Sequence, residues 1–361
     1  MWAHRGACRK AAPAGKRRPN PRKAITGEKE YPPVTAKYDV VGIGNAIVDV
    51  ISQTTDVFLA ENGLVKSGMA LIDTDQAEAL YAKMGPGLEM SGGSAGNTMA
   101  GLAALGGRGA FIGKVADDQL GKVYRHDIRA VGVTFDTPDL TDGTPTGRCL
   151  ILVTPDGHRT MNTFLGACNM LTPDDIDDAT IRGAQVTYLE GYLWDRPAAK
   201  EAFLKAARIA HGAGRKVSLS LSDAFCVNRH HDSFLDLVSG HVDILFANES
   251  EIGALYTGDF DQAVAAVRGH CEIAVLTRGE KGAVVITKDA TVAVPAEPVD
   301  RVVDTTGAGD LFAAGFLHGY TTGRDMTTCA RLGAIAAAEI ISHYGARSQV
   351  NLKDLAAAKL G

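Results

Sequence analysis

The chain has 361 residues, 45% hydrophobic and 22% charged, an ordinary balance for a globular protein with a large core. Its net charge of -5 hides a split: residues 1–36 carry nine Lys and Arg against two Glu, leaving 28 basic and 40 acidic residues in a body poorly suited to nucleic acid. Six scattered cysteines without metal-ligand spacing argue against a zinc site or disulfide framework, and no run of 18 apolar residues offers a membrane span, so a cytoplasmic protein is expected.

Residues 1–36 are rich in Pro, Arg and Lys and have no apolar segment, which rules out a secretory signal. They read as a disordered basic extension; a transit peptide or an anion-docking tail are the alternatives. The folded domain is expected over residues 37–361. It opens with Val40-Val-Gly-Ile-Gly44, a short buried strand ending in glycines where the backbone must bend. Gly44-Asn-Ala-Ile-Val-Asp49 follows and sets Asn45 and Asp49 just beyond that strand. A carboxylate there can accept hydrogen bonds from two vicinal hydroxyls of a ribose or sugar; a turn-stabilising Asx pair is the plainer alternative.

Further along, strand-like Ala110–Val115 precedes a helix over Gln119–Ala130. Val186–Trp194, a helix over Pro197–Ala213, the strands Lys216–Leu221 and Asp243–Ala247, then Ile273–Thr277 and Ala283–Thr287 continue the alternation. A helical C-terminus runs from about Gly309 to Tyr344. Strand–helix alternation with nearly continuous apolar strands predicts an α/β fold whose mainly parallel central sheet is covered by helices on both faces. Residues 47–75 and 133–171 break the rhythm. In the second, Cys149-Leu-Ile-Leu-Val153, Pro155-Asp-Gly157 and Arg159–Phe164 form a hairpin signature. Together the two stretches predict a small β-sheet lid over a cleft, with an ordinary edge hairpin as the alternative.

The strongest local signal is Val302-Val-Asp-Thr-Thr-Gly-Ala-Gly-Asp-Leu-Phe-Ala-Ala-Gly315. Helical spacing of Leu311, Phe312 and Phe316 starts a helix near Gly309 and leaves Gly307, Ala308 and Gly309 at its N-terminus. Backbone N–H groups there lack intrahelical partners, and small side chains let an anion reach them. Asp310, in the first turn, either complements the helix dipole or accepts a proton from a hydroxyl attacking a phosphate held in that hole. No G-x-x-x-x-G-K-[ST] occurs, and Gly42-Ile-Gly44 reaches Ile47 where a dinucleotide fingerprint needs Gly.

Asp304-Thr-Thr-Gly-Ala-Gly-Asp310 resembles the C-terminal signature of the PfkB/ribokinase-like carbohydrate and nucleoside kinases. Gly92-Gly-Ser-Ala-Gly-Asn97 with Gly113-Lys-Val-Ala-Asp-Asp-Gln-Leu-Gly121 is similar to the family's N-terminal signature, Asn248-Glu-Ser-Glu251 to its N-x-x-E element, and Thr277-Arg-Gly-Glu-Lys-Gly282 to its ATP-binding turn. The resemblance spans nearly all of residues 38–350. It implies a ribokinase-like fold with a β lid, magnesium-dependent use of ATP, Asp310 as base, and Gly307, Ala308 and Gly309 as the anion hole. Asn248 and Glu251 would order Mg²⁺ and its waters, while Thr277, Gly279 and Gly282 would line the nucleotide site. From the residues alone, Asn248 and Glu251 equally read as a helix cap and its capping-box partner. An activating K⁺ would fall near Asp304, Thr306 and Gly345, although Gly345-Ala-Arg-Ser-Gln349 departs from the family's Gly-Ala-x-x-Ser ending.

On the acceptor side, Gly93, Ser94 and Asn97 would join Asn45 and Asp49 on the ligand. The Gly-x-Gly-Asn-x-x-x-Asp arrangement, Pro145-Thr-Gly-Arg-Cys149 and Arg159…Ala167-Cys-Asn169 resemble the adenosine kinase branch. By that match Arg159 would reach from the lid to the transferring phosphate; a solvated hairpin charge is the alternative. Met161, Phe164 and Leu165 offer apolar surface for a base, or else form lid core; Phe164 is bulkier than the branch's pattern. The expected activity is transfer of the ATP γ-phosphate to a nucleoside hydroxyl, adenosine to AMP in purine salvage being preferred. A PfkB sugar kinase (ribose, fructose or a keto-deoxy sugar acid) and a non-catalytic nucleoside-binding protein are the competing classes. A monomer and a homodimer are both open.

Overall fold

The computed structural model describes residues 36–361, so all but the last residue of the basic extension lies outside the described residues. In chain order the strands are β1 (Tyr38–Ile43), β2 (Ile47–Gln53), β3 (Met69–Leu71), β4 (Gly87–Ser91), β5 (Gly109–Ile112), β6 (Thr134–Phe135) and β7 (Gly147–Val153). They continue as β8 (Arg159–Phe164), β9 (Ala184–Glu190), β10 (Lys216–Ser220), β11 (Ile244–Asn248), β12 (Ile273–Thr277), β13 (Ala283–Thr287) and β14 (Thr291–Val294). Nine form one sheet in the order β14-β13-β12-β11-β10-β9-β1-β5-β6, and five form a second in the order β3-β8-β7-β2-β4. The large sheet is parallel from β6 to β12, and β13 and β14 close it antiparallel.

Both faces of the large sheet are buried, which is why its strands are predominantly apolar. Side chains alternate between faces along a strand. Val41, Ile43, Val217 and Leu219 pack with Phe203 and Ala206 of the helix Pro197–Gly212 and with Phe234 of His231–His241. Val40, Val186, Tyr188 and Phe246 face the other way, onto Met99 of the helix Ser94–Ala104 and onto Phe312 and Phe316 of the helix Ala308–Thr321.

The α/β layering read from the sequence is present, with local differences. The strand expected over Ala110–Val115 stops at Ile112, and that expected over Val186–Trp194 passes after Glu190 into a 3₁₀ turn, Gly191–Asp195. The C-terminal helical stretch is two helices, Ala308–Thr321 and Met326–Ile340. Gly323 (φ 74°) ends the first, and Asp325 caps the second by accepting from Thr328 N–H. In the small sheet β7 and β8 form the expected hairpin around Pro155-Asp-Gly157. The sheet also takes β4 from residues 87–91, outside both expected stretches, while β6, inside the second, belongs to the large sheet. One face of the small sheet, with Val48, Val50, Leu150 and Leu152, joins the main core; Ile47, Cys149 and Ile151 turn the other way. No helix among the described residues is long and apolar enough to cross a membrane.

Candidate functional site

The parallel strands β1, β9, β10, β11 and β12 end at one edge of the large sheet, where open α/β sheets bind ligands. A cleft of about 780 Å³ lies there, between that edge and the outward face of the small sheet. Asn45 follows β1, Glu190 ends β9, Asn248 ends β11 and Thr277 ends β12, and all four line it. From β2 and β8 the small sheet adds Ile47, Asp49, Met161 and Thr163. Gly93, Ser94, Asn97, Glu251 and Gly307 through Asp310 complete the walls that the sequence singles out.

Gly307 is the N-cap of the Ala308–Thr321 helix and sits in the left-handed region at φ 79°, a conformation that favours glycine. Ala308 N–H closes back onto Thr305 O at 3.2 Å. The N–H groups of Gly309 and Asp310, in the first helical turn, have no intrahelical acceptor, so this helix start presents free backbone donors at the cleft.

Asp310 is held on two sides. Ser94 Oγ donates to its Oδ1 at 2.6 Å, and Asn97 Nδ2 donates to Oδ2 at 2.9 Å. Ser94 and Asn97 lie three residues apart, on one face of their helix. Burial pushes the Asp310 carboxyl above the ordinary carboxylate range, and Ser94, Asn97 and the Arg347 guanidinium oppose that push.

Asn45 is 3% exposed and tied by its Nδ2 to Glu190 Oε1 at 2.7 Å. Its amide oxygen has no partner among the described residues, which leaves a buried acceptor in the cleft wall. Glu190 also accepts from the Asn45 and Ala95 N–H groups, at 3.3 and 2.8 Å. Burial lifts Glu190 to about 7 despite these bonds. Asp49, opposite Met90 on β4 and Cys149 on β7, is pushed up to about 6 by burial, with Arg347 and Arg159 opposing and Asp310 adding to the rise.

Asn248 and Glu251 form a capping box. Asn248 Oδ1 accepts from Glu251 N–H at 2.9 Å, and Glu251 Oε2 accepts from Asn248 N–H at 3.0 Å. Both still line the cleft, and burial, with Asp223 and Asp310 nearby, raises Glu251 to about 7.

Five expected site residues, Asp304 among them, lie elsewhere. Phe164 is buried off the cleft, because the pleat of β8 puts it on the opposite face from Met161 and Thr163. Gly279 and Gly282 do not line the cleft; they shape the turn between β12 and β13, at φ 57° and 83°. Arg159 is likewise off the cleft wall, its Nη1 2.9 Å from Asp304 Oδ2 in a pair whose side chains are each 7% exposed. Asp304 also accepts from Thr306 N–H at 3.0 Å and Gly345 N–H at 3.2 Å.

Two residues absent from the sequence reading are prominent. Glu190 is a charge closing an otherwise apolar strand, a signal open to reading; Arg347 carried no signal beyond a local departure in its loop.

Residues 68–353 match the pfkB family carbohydrate kinases. The structure of adenosine kinase from Sinorhizobium meliloti superposes with a TM-score of 0.83 at 54% identity, covering 90% of this chain and 100% of that one. Adenosine kinase of Saccharomyces cerevisiae is 30% identical over 85% of this chain and 95% of its own length. The ATP-dependent ribose-1-phosphate kinase of Halopiger xanaduensis is 32% identical over 72% and 83% respectively. With free backbone donors and a held carboxylate in one cleft and a family match over most of its length, this chain belongs to the pfkB family of carbohydrate kinases, phosphotransferases with an alcohol group as acceptor.

Proposed function

We propose that this chain transfers the γ-phosphate of ATP to the ribose 5′-hydroxyl of a nucleoside, adenosine being the preferred acceptor. The observation that carries this reading is the sharing of one cleft by Asp310, at the helix N-terminus, and Asp49, on the small sheet. Asp310 takes the proton of the attacking hydroxyl while the free N–H groups of Gly309 and Asp310 at the helix start receive phosphoryl charge. Asp49 and the Asn45 amide oxygen accept from the vicinal ribose hydroxyls. Beyond them Met69, Leu71, Ile151, Met161 and Leu165 form an apolar wall, with Met69 and Leu71 more than half exposed. A purine has a flat apolar face to lay there, and a free sugar has none. Both relatives named for adenosine span this chain nearly completely. Adenosine, inosine, ribose and fructose offered in one ATP-consumption assay are expected to rank with adenosine first; predominant turnover of a free sugar would overturn the choice.

Mg²⁺ would arrive on the ATP phosphates, with Glu251 holding one of its waters, and would neutralise phosphate charge. The Glu251 carboxylate suits that place, since burial and two neighbouring carboxylates leave it short of positive charge. The small sheet acts as the lid. Arg159 ties it to Asp304, with Nε and Nη2 buried without a partner among the described residues, so this guanidinium anchors the lid rather than lining the cleft. Potassium fits less well: the Asp304 carboxylate it would need already holds Arg159 and two backbone N–H groups. Exchanging potassium for tetramethylammonium at constant ionic strength is therefore expected to leave turnover unchanged; a potassium-specific activation would contradict this.

A further inference from the structure

Arg347 has no part in the scheme above, yet it grips three residues beside it. Its Nη2 donates to Ser91 O at 2.6 Å and to Ser91 Oγ at 2.9 Å. Its Nη1 donates to Asn97 Oδ1 and, at 3.1 Å, to Ala346 O. Ser91 is anchored in turn, its N–H and hydroxyl both donating to Asp127 Oδ2 at 2.7 Å. The contact is passed on by Asn97, whose Nδ2 is the group 2.9 Å from Asp310 Oδ2. One connected run thus leads from the helix Gln119–Ala130 through β4 and Arg347 to the candidate base.

The two ends of an asparagine amide have nearly the same shape, and only their partners decide which way round they sit. A guanidinium has donors and no acceptor, so it admits only the oxygen of Asn97. The NH₂ group is then left to the carboxylate. Turned over, the amide would set oxygen against oxygen at Asp310 and N–H against N–H at Arg347. The charge acts as well: Arg347 opposes the upward push of burial on both Asp49 and Asp310. Burial lowers the pKa of Arg347 itself, while Tyr124, Asp49, Asp127 and Asp310 support its charge.

We propose, resting on the kinase reading above, that Arg347 is a positioning residue that locks the Asn97 amide toward Asp310 and so sets the aim of the base. The groups facing Asp310 are Ser94 and Asn97 from one helix and Arg347 from the C-terminal loop. Asp49 of β2, Glu190 of β9, Glu251, Tyr188 and Tyr192 act on it at longer range.

The test is a pH profile of Arg347→Met and Arg347→Lys at saturating Mg-ATP, with an Asn97→Ala background completing a double-mutant cycle. Arg347→Met is expected to lower kcat about a hundredfold, the usual cost of a small misplacement of a reacting group, with the KM for ATP unchanged. Its acid limb should move to higher pH, because a carboxylate that loses a nearby cation holds its proton more tightly. Arg347→Lys keeps a charge but no planar fork, so its limb should stay near the wild-type position while kcat still falls. In the Asn97→Ala background Arg347→Met should cost little more, since the amide it locks is gone. Full additivity in the cycle, or an acid limb coincident with the wild type, overturns the proposal. Should the methionine variant not fold, a lysine variant with wild-type kcat does the same. If the wild-type chain phosphorylates no acceptor, the kinase reading fails separately. The ¹³C carboxyl titration of Asp310 then decides: an upward shift in Arg347→Met supports the proposal, and coincident curves overturn it.

Discussion

Asp310→Asn is expected to lower kcat by about 10²- to 10⁴-fold, the range typical of a lost general base, while ATP binds nearly as before. The asparagine side chain has the same size and shape, so the helix start and its N–H groups stay in place to receive phosphate. What changes is the proton acceptor and its bracing. Ser94 Oγ and Asn97 Nδ2 both donate to the carboxylate, one to each oxygen. An amide keeps the Asn97 contact through its oxygen and can donate its NH₂ to Ser94 Oγ, so that contact is reversed rather than lost and basicity is the main loss. ADP release in a coupled assay, with ATP affinity by calorimetry, separates turnover from binding. Turnover within about tenfold of wild type would mean that the proton goes elsewhere.

The helix start around Asp310 was legible because its pattern is local. Asp304 to Asp310 is contiguous, and the spacing of Leu311, Phe312 and Phe316 announces the helix whose first turn presents the free donors. Asn248 and Glu251 are also local: the capping box is present, and a helix cap at the end of β11 is by position a cleft residue, where an ordering of Mg²⁺ is a proposal. Legibility failed where the outcome depends on parity or on distant pairing. Phe164 has the right composition for a base-binding wall, but a one-residue step along a strand exchanges faces, and Met161 and Thr163 hold the cleft side. Gly279 and Gly282 serve the β12–β13 turn, a use of glycine that sequence cannot tell from close approach to a nucleotide. β4 passed unnoticed because Gly87-Leu-Glu-Met-Ser91 is short and half exposed, and its partner β2 lies 35 residues earlier at the Ser52–Gly87 pair and 43 earlier at the Val48–Ser91 pair. Arg347 is the extreme case: it meets Ser91 across 256 positions and Asn97 across 250, so its meaning exists only in the folded chain.

At the acceptor end, Asp49→Asn is expected to lower kcat/KM for the nucleoside by about 10²- to 10³-fold and to leave the KM for ATP unchanged. Hydrogen bonds to a charged group contribute about 1.5–3 kcal/mol each, and a carboxylate gripping two vicinal hydroxyls makes two of them. An amide of the same shape keeps one acceptor, points its NH₂ group at the other hydroxyl and carries no charge. The same argument fixes the pH dependence. Burial holds the free Asp49 carboxyl at about 6, above its ordinary value. Only the ionised form accepts from both hydroxyls, so kcat/KM should be flat above that pH and fall as the pH drops through it, the free enzyme's pKa being the one this parameter reports. Arg347 and Arg159 hold the value down and Asp310 holds it up, so the limb belongs to a group embedded in the cleft's charges. In Asp49→Asn that limb should disappear and leave the one set by Asp310. A variant that keeps the wild-type limb and full nucleoside kcat/KM would show that the acceptor's hydroxyls are held by other groups, with Asn45, whose amide oxygen is buried and unpartnered among the described residues, the first to test.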